Sequence, residues 1–239
     1  MHLEAVRARV EQAARRAGRD PSEVTIVAVT KTHPIAAIRQ AAGEGLQDVG
    51  ENKVQEALAK MDQWPDAPVR WHLIGHLQRN KARQAVGRFA LIHSLASVRL
   101  ADALEQAAAA QGIVQEVLVQ VNVAREPQKD GVAPEDVDAL VAHAMAQPHL
   151  ALKGLMTMAP FTDNVAVQRA TFRGLREIGE RLEQASGMRQ EASESASRFP
   201  LPASRFHLSM GMSSDFEVAV EEGATLLRLG TVLFGERQS

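Results

Sequence analysis

The sequence predicts an α/β fold: a single (β/α)8 TIM barrel spanning residues 1–239, with an extra N-terminal helix. Three observations carry that expectation. Short runs rich in Val, Ile and Leu recur along the chain, each followed by a stretch with helical spacing of apolar residues. Eight such units fit a barrel at the compact end of its size range. The first strand leads into Thr30-Lys31-Thr32-His33-Pro34 and not into a G-x-G-x-x-G turn. An open doubly wound sheet, the alternative, usually carries that turn.

Residues 1–20 (MHLEAVRARVEQAARRAGRD) place Leu3, Val6 and Val10 on one helical face. Charges throughout and the lack of an apolar h-region argue against a signal peptide, and Glu4, Glu11 and Asp20 argue against a transit peptide. The strands are expected at residues 24–30, 46–49, 69–74, 90–93, 116–123, 152–158, 205–208 and 226–232, the second, fourth and seventh being the weakest. Helices are expected at 34–42, 53–61, 100–110, 134–146 and 165–185. Pro34 and Pro134 suit a first helical turn, and Asp163 or Asn164 suits a cap for the long helix. Residues 188–204, rich in Ser, Ala and Pro, read as a loop insertion.

Composition excludes several chemistries. The chain is 45% hydrophobic and 23% charged, with a formal net charge of -2, so nothing asks for nucleic acid as a partner. Cys is 0, which removes disulfides, thiolate metal sites and cysteine nucleophiles, and Tyr is 0, which removes tyrosine as an acid or base. No apolar run approaches the ~20 residues of a membrane span. A cytoplasmic protein with no membrane association is expected.

Barrel chemistry sits at the carboxyl ends of the strands. Lys31 closes the first strand with the parity of Val27 and Val29. If that face is the interior, desolvation favours the neutral amine that a Schiff base needs. Otherwise the lysine simply reaches solvent. After the seventh and eighth strands, where barrels often bind phosphate, Ser209, Ser213, Gly230 and Thr231 offer hydroxyls and amides. Arg228 shares the face of Leu226 and Gly230 and needs a partner there, either a carboxylate such as Glu51 or a ligand acceptor. A lysine nucleophile, a phosphate cradle and an adjacent arginine describe a site for pyridoxal 5′-phosphate (PLP). Lys31 forms the Schiff base; Ser209, Ser213, Gly230 and Thr231 hold the phosphate; Arg228 donates to the pyridine nitrogen.

Six motifs in order add a resemblance: 27–31 (VAVTK), 50–56 (GENKVQE), 71–81 (WHLIGHLQRNK), 154–158 (GLMTM), 208–216 (LSMGMSSDF), and 228–231 (RLGT) through Phe234-Gly235. Nearly the whole chain resembles the PLP homeostasis proteins, the YggS/PROSC family. That resemblance implies a barrel like the N-terminal domain of alanine racemase. It implies PLP on Lys31, with contacts from Asn52, Met158, Ser209, Arg228, Gly230 and Thr231.

An arginine at the ring nitrogen is always charged and only donates, so it weakens the electron sink. With no tyrosine for the second face, His207 or His72 would have to substitute. The expected role is therefore a PLP carrier and buffer in intracellular PLP homeostasis, with little or no catalysis. PLP-requiring apoenzymes are the expected recipients, and the chain is expected as a monomer or weak dimer. The alternatives are a PLP-dependent racemase of the same fold, a Schiff-base aldolase on a phosphorylated sugar, and a metal-dependent hydrolase using His33, His72, His76, His93 and His207. A binding scaffold using the basic run 78–83 with Arg88 is a further class. Those histidines read better as satisfied polar residues of the core or rim, and no metal site is expected. Trp71 is expected against a helix, Glu51 is a candidate to orient Lys31 or Asn52, and the polar loop 128–131 either covers the site or lies idle.

Overall fold

The computed structural model describes residues 1–185 and 206–235. Helix α1 (Leu3–Arg16) precedes the barrel. The repeating units are β1 (Thr25–Val29) and α2 (Ile35–Gly43), β2 (Asp48–Glu51) and α3 (Val54–Gln63), and β3 (Arg70–Leu73) with the short α4 (Ala82–Ala85). They continue with β4 (Leu91–Leu95) and α5 (Val98–Gln111), β5 (Gln115–Gln120) and α6 (Val137–Met145), and β6 (Leu150–Met156) and α7 (Val165–Ala185). Last come β7 (His207–Ser209) and α8 (Phe216–Glu221), then β8 (Leu226–Leu229) and α9 (Thr231–Phe234). Parallel pairing runs β1 to β8 in order and closes, which is the predicted (β/α)8 barrel with its extra N-terminal helix. The expected insertion at 188–204 lies outside the described residues, as does the start of the expected seventh strand.

Period-2 parity sorts the strand residues. Ile26, Ala28, Val49, Trp71, Leu73, Ile92, Val117, Leu155, Leu208, Leu227 and Leu229 face outward into one core with Ile38, Ala57, Leu104, Leu140, Phe172 and Phe216 of the helices. Trp71 thus packs against the helical layer, as its alternation with Leu73 implied. Inside, Leu91, Leu118, Met156 and Leu226 form a small apolar plug with Met158 packed on it. The interior also holds polar residues, including Asp48, His72, His93, Ser209 and Arg228, all buried. Helix α1 lies along α8, where Arg9 pairs with Glu217 at 3.1 Å and covers the Phe216 ring at 4.6 Å.

Several strand ends differ from the sequence expectation, and side chains explain two of them. Strand β8 stops at Leu229, not residue 232, because the Ser213 hydroxyl accepts the N–H groups of Gly230 (3.3 Å) and Val232 (3.2 Å). Those are the donors a longer ladder would use. Strand β5 stops at Gln120, not residue 123. Asn122 bonds Glu126 through both amide atoms (2.8 and 3.1 Å) and turns the chain back. Strand β1 stops at Val29, leaving Lys31 in the turn that follows. Strand β2 starts and ends two residues late, so Gly50 and Glu51 are within it. Of the two candidate caps on α7, Asn164 is the one that acts, accepting from the Ala166 N–H at 3.0 Å.

Candidate functional site

The carboxyl end of the barrel gathers all eight predicted site residues. Lys31 is half-buried in the turn after β1. Both of its neighbours are clamped. Thr30 donates its hydroxyl to Glu51 Oε1 at 2.5 Å, and its carbonyl accepts from Lys60 Nζ at 2.8 Å. The Thr32 N–H donates to Glu56 Oε1 at 2.6 Å, and Thr32 takes a left-handed φ of 65°. Lys60 completes the cluster by pairing with Glu51 at 2.7 Å and Glu56 at 2.9 Å. Glu51 therefore acts on the residue before Lys31, directly through the Thr30 hydroxyl and indirectly through the Lys60 that holds the Thr30 carbonyl. Its burial pushes the carboxyl up from the ordinary range, more than the bonds from Lys60 and Thr30 pull it down.

Asn52 is half-buried in the loop after β2. The next loop touches its backbone. A Cβ at Gly75 would stand 2.3 Å from the Asn52 carbonyl oxygen, so only glycine permits this approach. Met158 sits beyond β6, on the rim of the inner plug.

Arg228 points into the barrel at 4% exposure. One Nη donates to Ser209 Oγ at 2.7 Å and the other to the Thr157 carbonyl at 2.9 Å. Glu51, the carboxylate considered for it, is committed to Lys60 instead. Burial draws the guanidinium down to about 10, with Asp215 acting in the opposite sense, and it remains a cation at neutral pH. Register pairs Arg228 with Val27, and Lys31 lies two residues beyond the end of that adjoining strand.

The predicted phosphate residues divide into two groups. Ser213, Gly230 and Thr231 meet where the β7–α8 loop touches the start of α9. Gly211 shapes that loop with φ +94°, and a Cβ there would lie 2.6 Å from the Ala219 Cβ. Buried Asp215 braces it by accepting the Met212 N–H at 2.6 Å. Ser209 stands apart, with its fully buried hydroxyl between Arg228 and His93 Nδ1 (2.9 Å).

Other residues were not picked out for the site from sequence. The Thr157 carbonyl holds Arg228, and His93 backs Ser209. His72 and His93 are bonded to one another at 2.9 Å, which matches their reading as satisfied core residues. Loop 122–132 crosses the carboxyl end, where Lys129 pairs with Glu126 and donates to the Ala159 carbonyl at 2.7 Å.

The family model "Alanine racemase, N-terminal domain" matches residues 1–238. A pyridoxal phosphate homeostasis protein of Aquifex aeolicus is 42% identical over 236 residues, covering 99% of this chain and 97% of that protein. The chain belongs to the pyridoxal phosphate homeostasis protein family. A second member, from Pseudomonas aeruginosa, is 41% identical over 232 residues and covers 97% of this chain and 93% of its own. Among solved structures, PipY of Synechococcus elongatus with PLP bound superposes with a TM-score of 0.77 at 37% identity, over 95% of this chain and 100% of PipY. In this family member, then, the lysine turn, the buried arginine, Ser209 and the Ser213 loop share one end of one barrel. No described helix is long and apolar enough to cross a membrane.

Proposed function

We propose that this protein binds PLP covalently through Lys31 and acts as a carrier and buffer in PLP homeostasis, not as a catalyst. Arg228 is the observation that carries the reading. A buried cation is costly without an acceptor. Among the described residues Arg228 has a hydroxyl and a carbonyl as partners, with no carboxylate in ion-pair distance. An acceptor ligand on its remaining N–H groups offsets that cost. PLP supplies an aldehyde that condenses with a lysine amine, and a phosphate that needs anion donors.

In this reading Lys31 supplies the amine and Arg228 faces the ring nitrogen. Ser213, Gly230 and Thr231 take the phosphate. Asn52 and Met158 flank the ring, and Ser209 contributes through Arg228. The carrier role is supported by the chemistry of these groups. Arg228 donates and cannot stabilise a protonated ring nitrogen, so the electron sink is weak. Tyr is absent, and His72 has both ring nitrogens engaged, at 2.9 Å each, with His93 and Asp48. PLP-requiring apoenzymes would receive the cofactor from a cytoplasmic monomer or weak dimer formed by one domain of residues 1–239.

The test is the visible absorption spectrum of the purified protein with and without borohydride, beside Lys31→Ala. A yellow protein whose chromophore becomes fixed at Lys31 is expected, with none fixed in the variant. A protein that takes up no added PLP ends the proposal. Robust amino-acid racemisation dependent on Lys31 ends the carrier half of it.

A further inference from the structure

An unbroken hydrogen-bond run crosses the barrel interior beneath the site. Arg70 donates to Asp48 through Nε at 2.7 Å and through an Nη at 2.5 Å. Asp48 Oδ1 lies 2.9 Å from His72 Nε2, His72 Nδ1 lies 2.9 Å from His93 Nε2, and His93 Nδ1 lies 2.9 Å from Ser209 Oγ. Arg228 closes the run on the same hydroxyl at 2.7 Å. The run begins beside a cavity of about 430 Å³ at the opposite end of the barrel, lined by Arg7, Gln47, Asp48 and Arg70 among others.

Proton counting gives this run one direction. Burial pushes the Asp48 carboxyl up, but donation from His72 and Arg70 outweighs it and holds the group below its ordinary value. An ionised carboxylate only accepts, so His72 carries its proton on Nε2. One proton fits between the two rings. Burial, with the Arg228 cation nearby, draws His93 well below the ordinary imidazole value, so it is neutral. With its proton on Nε2, His72 satisfies both of its contacts, donating to Asp48 and accepting from His93. Both rings are then neutral Nε2–H tautomers. The Ser209 proton goes to His93 Nδ1, which leaves the Ser209 lone pairs for Arg228.

We propose that His93, His72 and Asp48 are positioning residues for the site. They fix the direction of the Ser209 hydroxyl and so hold the Arg228 guanidinium at two points with its remaining N–H groups toward the ligand. This rests on the reading that Arg228 faces bound PLP. Ser209 belongs to the site through Arg228, and the floor of the barrel is part of the same machinery.

The first measurement needs no cofactor. Nitrogen-15 NMR of histidine-labelled apoprotein reads the tautomers directly, and His72 and His93 are expected as neutral rings protonated on Nε2. A proton on Nδ1 of either ring, or an imidazolium, overturns the relay. The second measurement uses the PLP-loaded protein. His93→Leu removes the acceptor for Ser209, and PLP affinity is expected to fall about tenfold, as for one well-placed hydrogen bond. The visible maximum shifts, while borohydride still fixes the chromophore at Lys31. His93→Gln keeps one donor and one acceptor and retains affinity within about threefold on the same scale. A His93→Leu protein that is less stable but binds PLP with unchanged affinity and spectrum reduces His93 to a structural residue and overturns the proposal. If His93→Leu does not fold, the wild-type tautomers and His93→Gln decide. If the wild type takes up no PLP, the cofactor reading fails, and the tautomers alone decide whether the relay exists.

Discussion

The Lys60 ammonium donates to the carbonyl oxygen of Thr30 at 2.8 Å, one residue before Lys31. The same nitrogen pairs with Glu51, which is fully buried. The lysine turn therefore hangs from a buried ion pair, and the pair has two roles: it neutralises Glu51 and it fixes the backbone. Replacing Lys60 by Met removes one partner and leaves the other charge buried. That is expected to cost about 3–5 kcal/mol, the usual penalty for breaking such a pair. The second change Glu51→Gln should recover part of it. Urea unfolding of the two variants measures both. A loss below about 1 kcal/mol would place the pair among exposed ones and remove its structural role.

Arg228 separates binding from stability. As a buried cation whose described partners are neutral, it strains the apoprotein and serves the ligand. Arg228→Gln is expected to weaken PLP binding by about 10- to 100-fold, the scale of one charge-assisted hydrogen bond. The ligand-free protein should unfold at the same urea concentration as wild type or a higher one. Equilibrium dialysis and urea melts read the two effects separately. Parallel losses in both would mean that Arg228 is mainly a structural residue.

Ser213 predicts a split between two forms of one ligand. Its hydroxyl accepts the Gly230 and Val232 N–H groups in the loop where the phosphate is proposed to lie. Ser213→Ala should lower PLP affinity several-fold, about 1 kcal/mol for one neutral hydrogen bond. Affinity for pyridoxal, which has no phosphate, should not change. Equal losses for both ligands would move the phosphate away from this loop.

The sequence displayed the barrel well because its signals are local. Alternating apolar runs and helical spacing reveal eight units without any knowledge of partners, and α7 starts at the expected Val165. Strand ends were less legible where one side chain settles them at a distance. Ser213, for example, ends a strand 13 to 16 residues later in the chain. Within the site, residue types marked Lys31 and Arg228 through their parity. The partners of Arg228 were hidden, since Thr157 contributes a carbonyl that every residue has. The inward parity of His72, between outward Trp71 and Leu73, was readable, but its bond to His93 joins two strands and depends on register.

The interior histidines also set how the protein responds to acid. Burial draws His207 down from 6.5 to about 4, with Lys153 adding to the effect and Asp48 opposing it. Between those two values the unfolded chain holds a proton that the folded chain does not. Stability from this group is therefore complete above pH 6.5 and is lost as pH falls toward 4. For His207 alone the loss is about 2 kcal/mol by pH 5 and about 3 kcal/mol once pH 4 is passed, at 1.36 kcal/mol per unit. His93 adds to it in the same direction. Glu51 and Asp215, both pushed up chiefly by burial, bind protons more readily when folded and act oppositely. The decisive quantity is thus the difference between wild type and His207→Gln. Urea midpoints at pH 8, 6 and 5 should fall more steeply for the wild type. Identical slopes would mean that the His207 ring accepts its proton in the folded barrel as easily as in water.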